Sequence, residues 1–329
     1  AELVARGWRV RAMLRHPAAA AAAALHPGIE RQQGDAMQAE DVRRAAQDVH
    51  LIVHAVNPPG YRDWDKLVLP MLDNSIAAAQ ATGARLLLPG NIYNYGPDAF
   101  PILREDSPQR PISRKGRIRV EMERRLQVAS GRGARGLVVR AGDFFGPHAG
   151  NNWFGQGMLQ PGRPVSVVRY PGRPGVGHAW AYLPDLAAAM VRLAEREADL
   201  PRHATFHFAG HWDPDGTAMI AAICRAVGAP KPKLRAVPWS LVIALSPFVR
   251  LFGEMREMRY LWREPLQLDN RHLVEVLGAE PHTPLDDAVR AALVGLGCLP
   301  APVAGVKAAF GFPVQSPDRP PGYAAASAP

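Results

Sequence analysis

The chain has 329 residues, 47% of them hydrophobic and 21% charged, enough to bury a large core in one α/β domain and a smaller second one. The net charge of +9 rests on 39 Lys and Arg, only five of them Lys. With Ala abundant throughout, this reads as a bias toward Arg and Ala rather than a nucleic-acid surface. Two cysteines, Cys224 and Cys298, exclude a disulfide framework and point to a reducing, cytoplasmic setting. No apolar run reaches the roughly 18 residues of a membrane helix. The best, Val237 to Val249, holds Pro238 and Pro247 and reads as a buried or lid helix, so neither a membrane nor a nucleic-acid partner is expected.

The chain opens with the end of a helix, Ala1 to Arg6, a cap at Gly7 and an alternating strand from Trp8 to Leu14. A doubly wound domain starts instead with a strand and a Gly-rich turn that cradles a pyrophosphate, and neither is present in the sequence. Arg15 ends the strand at Leu14. In dinucleotide-binding sheets a carboxylate at that place holds the 2′-hydroxyl of NAD and an Arg the 2′-phosphate of NADP, so Arg15 favours NADP. The Ala run 18–24 is low-complexity helix. Gly34-Asp35 closes a short strand, and Asp35 can meet an adenine amine there.

His50 to Val56 is the next strand, with His54 and Ala55 at its end. Its histidines lack the third ligand of a metal site. His203, His207 and His211 share a parity on one later strand and read as half-exposed neighbours. The helix from Trp64 to Ala81 carries Asn74, which needs polar partners and can brace neighbouring strands. Gly83 to Gly96, GARLLLPGNIYNYG, is the centre of the chain: an apolar strand running into a loop with Gly90, Asn91, Tyr93 and Tyr95. An α/β sheet presents chemistry at this carboxyl edge, so the fold class read here is a doubly wound parallel sheet.

The helix of Arg114 to Arg125 carries Arg117/Glu121 and Glu121/Arg125 pairs at helical spacing. A GxGxxG match, Gly131 to Gly136, follows a helix and precedes a strand, the reverse of a phosphate loop. The strand after it ends at Arg140 and leads to Ala141, Asp143 and His148, with Asp143 and His148 as acid/base candidates. Residues 148–177 are rich in Gly, Pro, Asn and Trp, and Asn151, Asn152 and Trp153 make a cluster suited to a substrate loop. A strand and helix return to the sheet over 178–210. The segment Pro230 to Trp262 reads as a roof over the pocket, and residues 301–329 as a disordered tail.

Several motifs in order carry a resemblance: Gly34-Asp35, Asn74, the central strand with its YG, EDSPQRP at Glu105 to Pro111, RAGDFFGP at Arg140 to Pro147, and YLPDLA at Tyr182 to Ala187. This succession resembles the NAD-dependent epimerase/dehydratase family of extended short-chain dehydrogenase/reductases, here without the first strand and Gly-rich loop. The resemblance implies a Rossmann-like domain over 1–147, with 178–210 returning to it, and a smaller, mainly helical substrate domain from 148–177 and 211–300. It also implies NADP or NAD as cofactor, a carbonyl or sugar-like substrate, and a homodimer through the Arg114 to Arg125 helix. The cofactor-facing positions are then Arg15, Asp35, His54, Ala55, Gly90, Arg117, Ala141 and Asp143, and the substrate-facing ones Tyr95, Asn151, Asn152 and Trp153.

The family's Ser, Tyr and Lys are replaced here by Asn91, Ser113 and Arg117. Ser113 is far less acidic than a phenol, and Arg117 supplies charge but shuttles no proton. Asn91 can polarise a carbonyl oxygen, and Tyr93 and Tyr95 are the nearest substitute acids, with a structural role the other reading of Tyr95. The expected catalytic set is Asn91, Tyr93, Ser113 and Arg117, in an atypical oxidoreductase or epimerase working by nicotinamide hydride transfer. The alternative is a catalytically silent NADP-binding sensor or interaction protein.

Overall fold

The computed structural model describes residues 1–18, 26–58, 64–147, 149–150 and 152–301, without the side chain of Asp65. The expected tail therefore lies outside the described residues, as do Asn151 and His148. Residues Ala1–Leu299 form one compact unit.

In chain order, α1 (Glu2–Ala5) leads into β1 (Val10–Leu14), followed by β2 (Ile29–Gln33), α2 (Ala39–Ala45), β3 (Leu51–Val53), α3 (Trp64–Thr82) and β4 (Arg85–Pro89). Then come β5 (Ile102–Leu103), α4 (Arg114–Ser130), β6 (Arg135–Ala141), β7 (Asp143–Phe145), β8 (Val167–Tyr170), β9 (His178–Tyr182), α5 (Leu183–Glu195), β10 (His203–Phe208) and β11 (His211–Asp213). The last elements are α6 (Ala218–Val227), β12 (Lys233–Ala236), α7 (Trp239–Leu245), α8 (Arg250–Met258), β13 (Gln267–Leu268), α9 (Arg271–Leu277) and α10 (Leu285–Gly295).

The parallel sheet exists in two pieces: β3, β4, β6 and β10 form one, and β1 with β2 the other. A Rossmann sheet orders its strands 3-2-1-4-5-6. Here β2 and β1 occupy the third and second places, and β3, β4 and β6 the fourth to sixth. The break falls at the place of the first strand, whose turn carries the phosphate-binding glycines. Both pieces rest on the same layer, because Met13 of β1 and Ile52 of β3 pack on one cluster of Val42, Ala46 and Ala78.

Burial follows the break. Leu86, Leu87 and Leu88 of β4 and Leu137, Val138 and Val139 of β6 are fully buried. No residue of β1 is, and Val53 of β3 is 42% exposed. Helix α4 explains the upper layer: Ile118, Met122, Leu126 and Ala129 recur at 3.6-residue spacing and pack on Val68, Leu72, Ile76 and Ala79 of α3. On its outer face Glu121 pairs with Arg125, as expected, but its second partner is Arg124. The expected Arg117 pair is replaced by a 3.5 Å bond from Arg117 to the Ile112 carbonyl.

Two expectations about the later chain change. The stretch Val237 to Val249 is not a buried helix: in α7 only Val242 is buried, while Leu241, Leu245 and Phe248 face outward. The three histidines do not share a strand either. His203 and His207 lie on β10, with His207 fully buried, and His211 opens β11. Asn74 braces as expected, donating to the Ala36 carbonyl beyond β2 at 2.8 Å.

Candidate active site

The carboxyl edge of β4 gives way to a short turn capped by Asn91, whose Oδ1 accepts the Tyr93 N–H at 3.0 Å. Under this turn lies the first turn of α4. A Cβ on Gly116 would stand 2.2 Å from the Tyr93 carbonyl oxygen, so only glycine lets the helix approach. Gly90 is required in the same way: a Cβ there would meet Arg140 Cγ at 2.8 Å. Its role is the close packing of β4 on β6.

Ser113 is the N-cap of α4, with Oγ accepting the Gly116 N–H at 2.9 Å. The Tyr260 phenol, which donates to the Tyr95 carbonyl at 3.2 Å, lies close enough to feel the Ser113 hydroxyl. Burial pushes the Tyr260 phenol up to about 12, outweighing the lowering by Ser113. The chain thus brings a protonated phenol to the place from which the sequence reading found a phenol missing. Tyr260 was missed because it lies 147 positions from Ser113 along the chain, in a segment read as a roof.

The cations of α4 are also distributed differently from the sequence expectation. Arg117 is exposed. Lys115 and Arg119, one helical turn apart, lie on the inward side. Lys115 is buried, with Nζ 2.5 Å from a Glu254 carboxylate oxygen, and its N–H donates to Glu257 at 3.0 Å. Arg119 donates to the Pro89 carbonyl at the end of β4 at 3.2 Å and lies over the Trp64 ring. Spacing to the buried Ile118 and Met122 was the available signal, since Arg117 is rotated away from that stripe.

Tyr95 turns inward. Its hydroxyl accepts from Arg140 and meets His207 Nε2 at 2.8 Å. Arg140 also grips Glu123 at 2.6 Å. Burial raises the Tyr95 phenol above its ordinary range and drives His207 down to about 3, with Arg140 adding to the latter. Tyr95 is therefore held in a buried polar node with Arg140 and His207.

A second pair sits on the strands beside β6. His178 Nε2 lies 2.9 Å from Asp143 Oδ2, both buried, and the imidazole stacks on Trp262 at 3.8 Å. Asp143 is close enough to act electrostatically on Tyr260 and on Tyr170. Among the described residues, Tyr170 Oη, Trp180 Nε1 and Trp262 Nε1 in this ring cluster are buried without partners. Such atoms need a polar guest. Ala141 is buried in the layer below. Asn152 spends its side chain on its own loop, accepting from Gly155 and donating to Ala149, while Trp153 packs on Trp239 and Trp262.

Whether a nicotinamide dinucleotide fits is decided by the edge at the sheet break. His54 is buried at the end of β3, with Nδ1 paired to Ser75 at 2.9 Å and Nε2 without a partner among the described residues. Burial and the charge of Arg119 hold it neutral, at about 4. Asp35 spends Oδ1 on the Met37 N–H, Arg15 is exposed just past β1, and Ala55 is exposed after His54. These groups fit a polar ligand lying along the edge. A Gly-rich turn for its pyrophosphate is not among the described residues.

Residues 1–117 match the family model described as NAD(P)H-binding. Among solved structures, the Bordetella bronchiseptica enzyme WbmH, in complex with NAD+, is 18% identical over 89% of this chain and 91% of that one, with a TM-score of 0.63. The UDP-glucuronic acid 4-epimerase of Bacillus cereus, in complex with NAD, is 13% identical over 88% and 91%, with a TM-score of 0.66. The UDP-N-acetylglucosamine 4-epimerase of that organism is 14% identical over 90% and 92%, at 0.64. At these identities the likeness is one of fold, the Rossmann-like α/β fold of these enzymes. No curated protein sequence matches the chain. Among the described residues, no cluster of side chains forms a metal site and no helix is long and apolar enough to cross a membrane.

Proposed function

We propose that this epimerase-type chain is an NADP-linked oxidoreductase or epimerase acting on a carbonyl or sugar-like small molecule, in keeping with its epimerase neighbours. The observation that carries the reading is the buried Asp143–His178 pair, 2.9 Å apart, with the Tyr260 phenol beside it at the carboxyl edge of a parallel sheet. A nicotinamide bound along that edge supplies hydride chemistry. Tyr260 holds the proton for the substrate oxygen. The Asn91 amide nitrogen polarises that oxygen, and Arg119, rather than the outward Arg117, supplies positive charge at the ribose end.

Turnover tests this. The chain should oxidise NADPH with an aldehyde, ketone or nucleotide-linked keto sugar. Tyr260→Phe should lower kcat by about 10²–10⁴, the usual contribution of a positioned general acid. Unchanged turnover in Tyr260→Phe would remove it from the chemistry. A catalytically silent cofactor-binding protein is the second reading, favoured by the use of Ser113 Oγ and Asn91 Oδ1 as caps. NADPH that binds and is never consumed across such a screen would establish it.

A further inference from the structure

The α7–α8 hairpin exposes apolar side chains in an ordered way. Leu241 and Leu245, at i and i+4 of α7, share one face and Phe248 follows in the turn just after it; they are 52%, 37% and 84% exposed. Leu251, at the start of α8, is 63% exposed, and Leu234, in the neighbouring strand β12, 58%. Exposed large apolar residues scattered singly are normal, whereas a contiguous run of them marks an interaction surface. The hairpin is held firmly enough to present this face. Trp239 Nε1 donates to the Pro171 carbonyl at 2.9 Å, Arg259 covers the Trp239 ring, and Arg256 bonds Ser246 Oγ across the turn.

Charge selects among occupants. Residues 229–253 contain four basic residues, Lys231, Lys233, Arg235 and Arg250, and no Asp or Glu. All four are exposed. A second copy docking on this face by two-fold symmetry would set these cations against their own images, which like-charge repulsion disfavours. Acyl chains bounded by anionic headgroups fit both features at once: an amphipathic element with Leu and Phe on one side and Lys and Arg at its rim lies in the plane of a bilayer interface.

We propose that the β12–α7–α8 face docks the protein on anionic lipid membranes as an in-plane, non-spanning contact. The sequence reading expected no membrane partner. Its basis was the absence of a spanning helix, which does not bear on a surface contact. Through Lys115, which pairs with Glu254 of α8, the docked hairpin adjoins the first turn of α4, so the candidate active site lies next to the bilayer.

Co-sedimentation of the full chain with vesicles tests this, using phosphatidylcholine alone and phosphatidylcholine mixed with phosphatidylglycerol. The protein should pellet with the mixed vesicles and stay in solution with the neutral ones. Phe248→Asp with Leu251→Asp should lower partitioning by about tenfold or more, since each replaces a buried apolar group with a charge at the interface. Lys233→Glu with Arg235→Glu should lower it by about fivefold or more for each cation removed and flatten its dependence on salt. All four positions are exposed, and an unchanged Tm in each variant confirms the fold. Absence of pelleting with either vesicle overturns the proposal. So does equal pelleting of wild type and the Phe248/Leu251 variant. A concentration-dependent dimer that the Phe248/Leu251 variant abolishes, with no lipid bound, assigns the face to a second copy and also overturns it.

Discussion

Strands β4 and β6 and strands β1 and β3 are built from similar residues, yet the first two are buried and the second two lie half open. Leu87 and Val139 are inaccessible, whereas Val53 is 42% exposed and every residue of β1 keeps partial access to solvent. Apolar character alone does not bury a strand. Cover by neighbouring elements does: β10 is also a sheet edge yet is buried against Leu273 and Leu277 of α9, whereas β1 and β3 each lack a strand on one side among the described residues. An unpaired edge leaves backbone donors and acceptors without ladder partners. Both edges rest over one helical layer, because Met13 and Ile52 pack on the same cluster.

The comparison is broken most severely at the buried node that ties β6 to α4. Arg140→Ala should cost about 3–5 kcal/mol, because Glu123 is left as an uncompensated buried charge. Denaturant unfolding measures this, and a loss below about 1 kcal/mol would mean that the node is hydrated. The comparison is sharpened by a matched pair. Leu87→Ala in β4 should cost about 2–5 kcal/mol, whereas Val53→Ala at the open edge should cost less than about 1. Equal costs would show that the β3 edge is covered in solution.

Acid should act mainly through buried histidines. Burial lowers His54 and His211 to about 4 and His207 to about 3. The unfolded chain takes up these protons near pH 6.5 and the folded chain refuses them. Stability is therefore full above about pH 6.5 and falls as the pH drops toward 4, by at most about 1.4 kcal/mol per unit for each histidine. A Tm that stays flat between about pH 7 and 4.5 would contradict this. The smallest expected effect is at the cofactor edge. Arg15→Glu should abolish any preference for NADPH over NADH, and equal preference in both proteins would remove Arg15 from the adenosine end.

Much of this architecture was legible. The strand of Gly83 to Gly96 and the helices of α3 and α4 were read from periodicity and turn residues, which are local. The side-chain partnerships were not. Tyr260 comes near Ser113 and His178 meets Asp143 only because distant elements fold onto one sheet edge, and no spacing encodes that. Arg117 was placed at the site by counting from Ser113. The inward face is fixed instead by Ile118, Met122 and Leu126, a stripe the sequence does display. The segment of α7 was read inward from its apolar content, and the cations around it, visible in the sequence, were the sign that it faces out.

The most direct test of the central claim, that the carboxyl edge of this sheet holds a nicotinamide dinucleotide, is calorimetric titration of the chain with NADPH and NADH. Binding, with NADPH favoured, is the predicted result. No binding of either dinucleotide would contradict it.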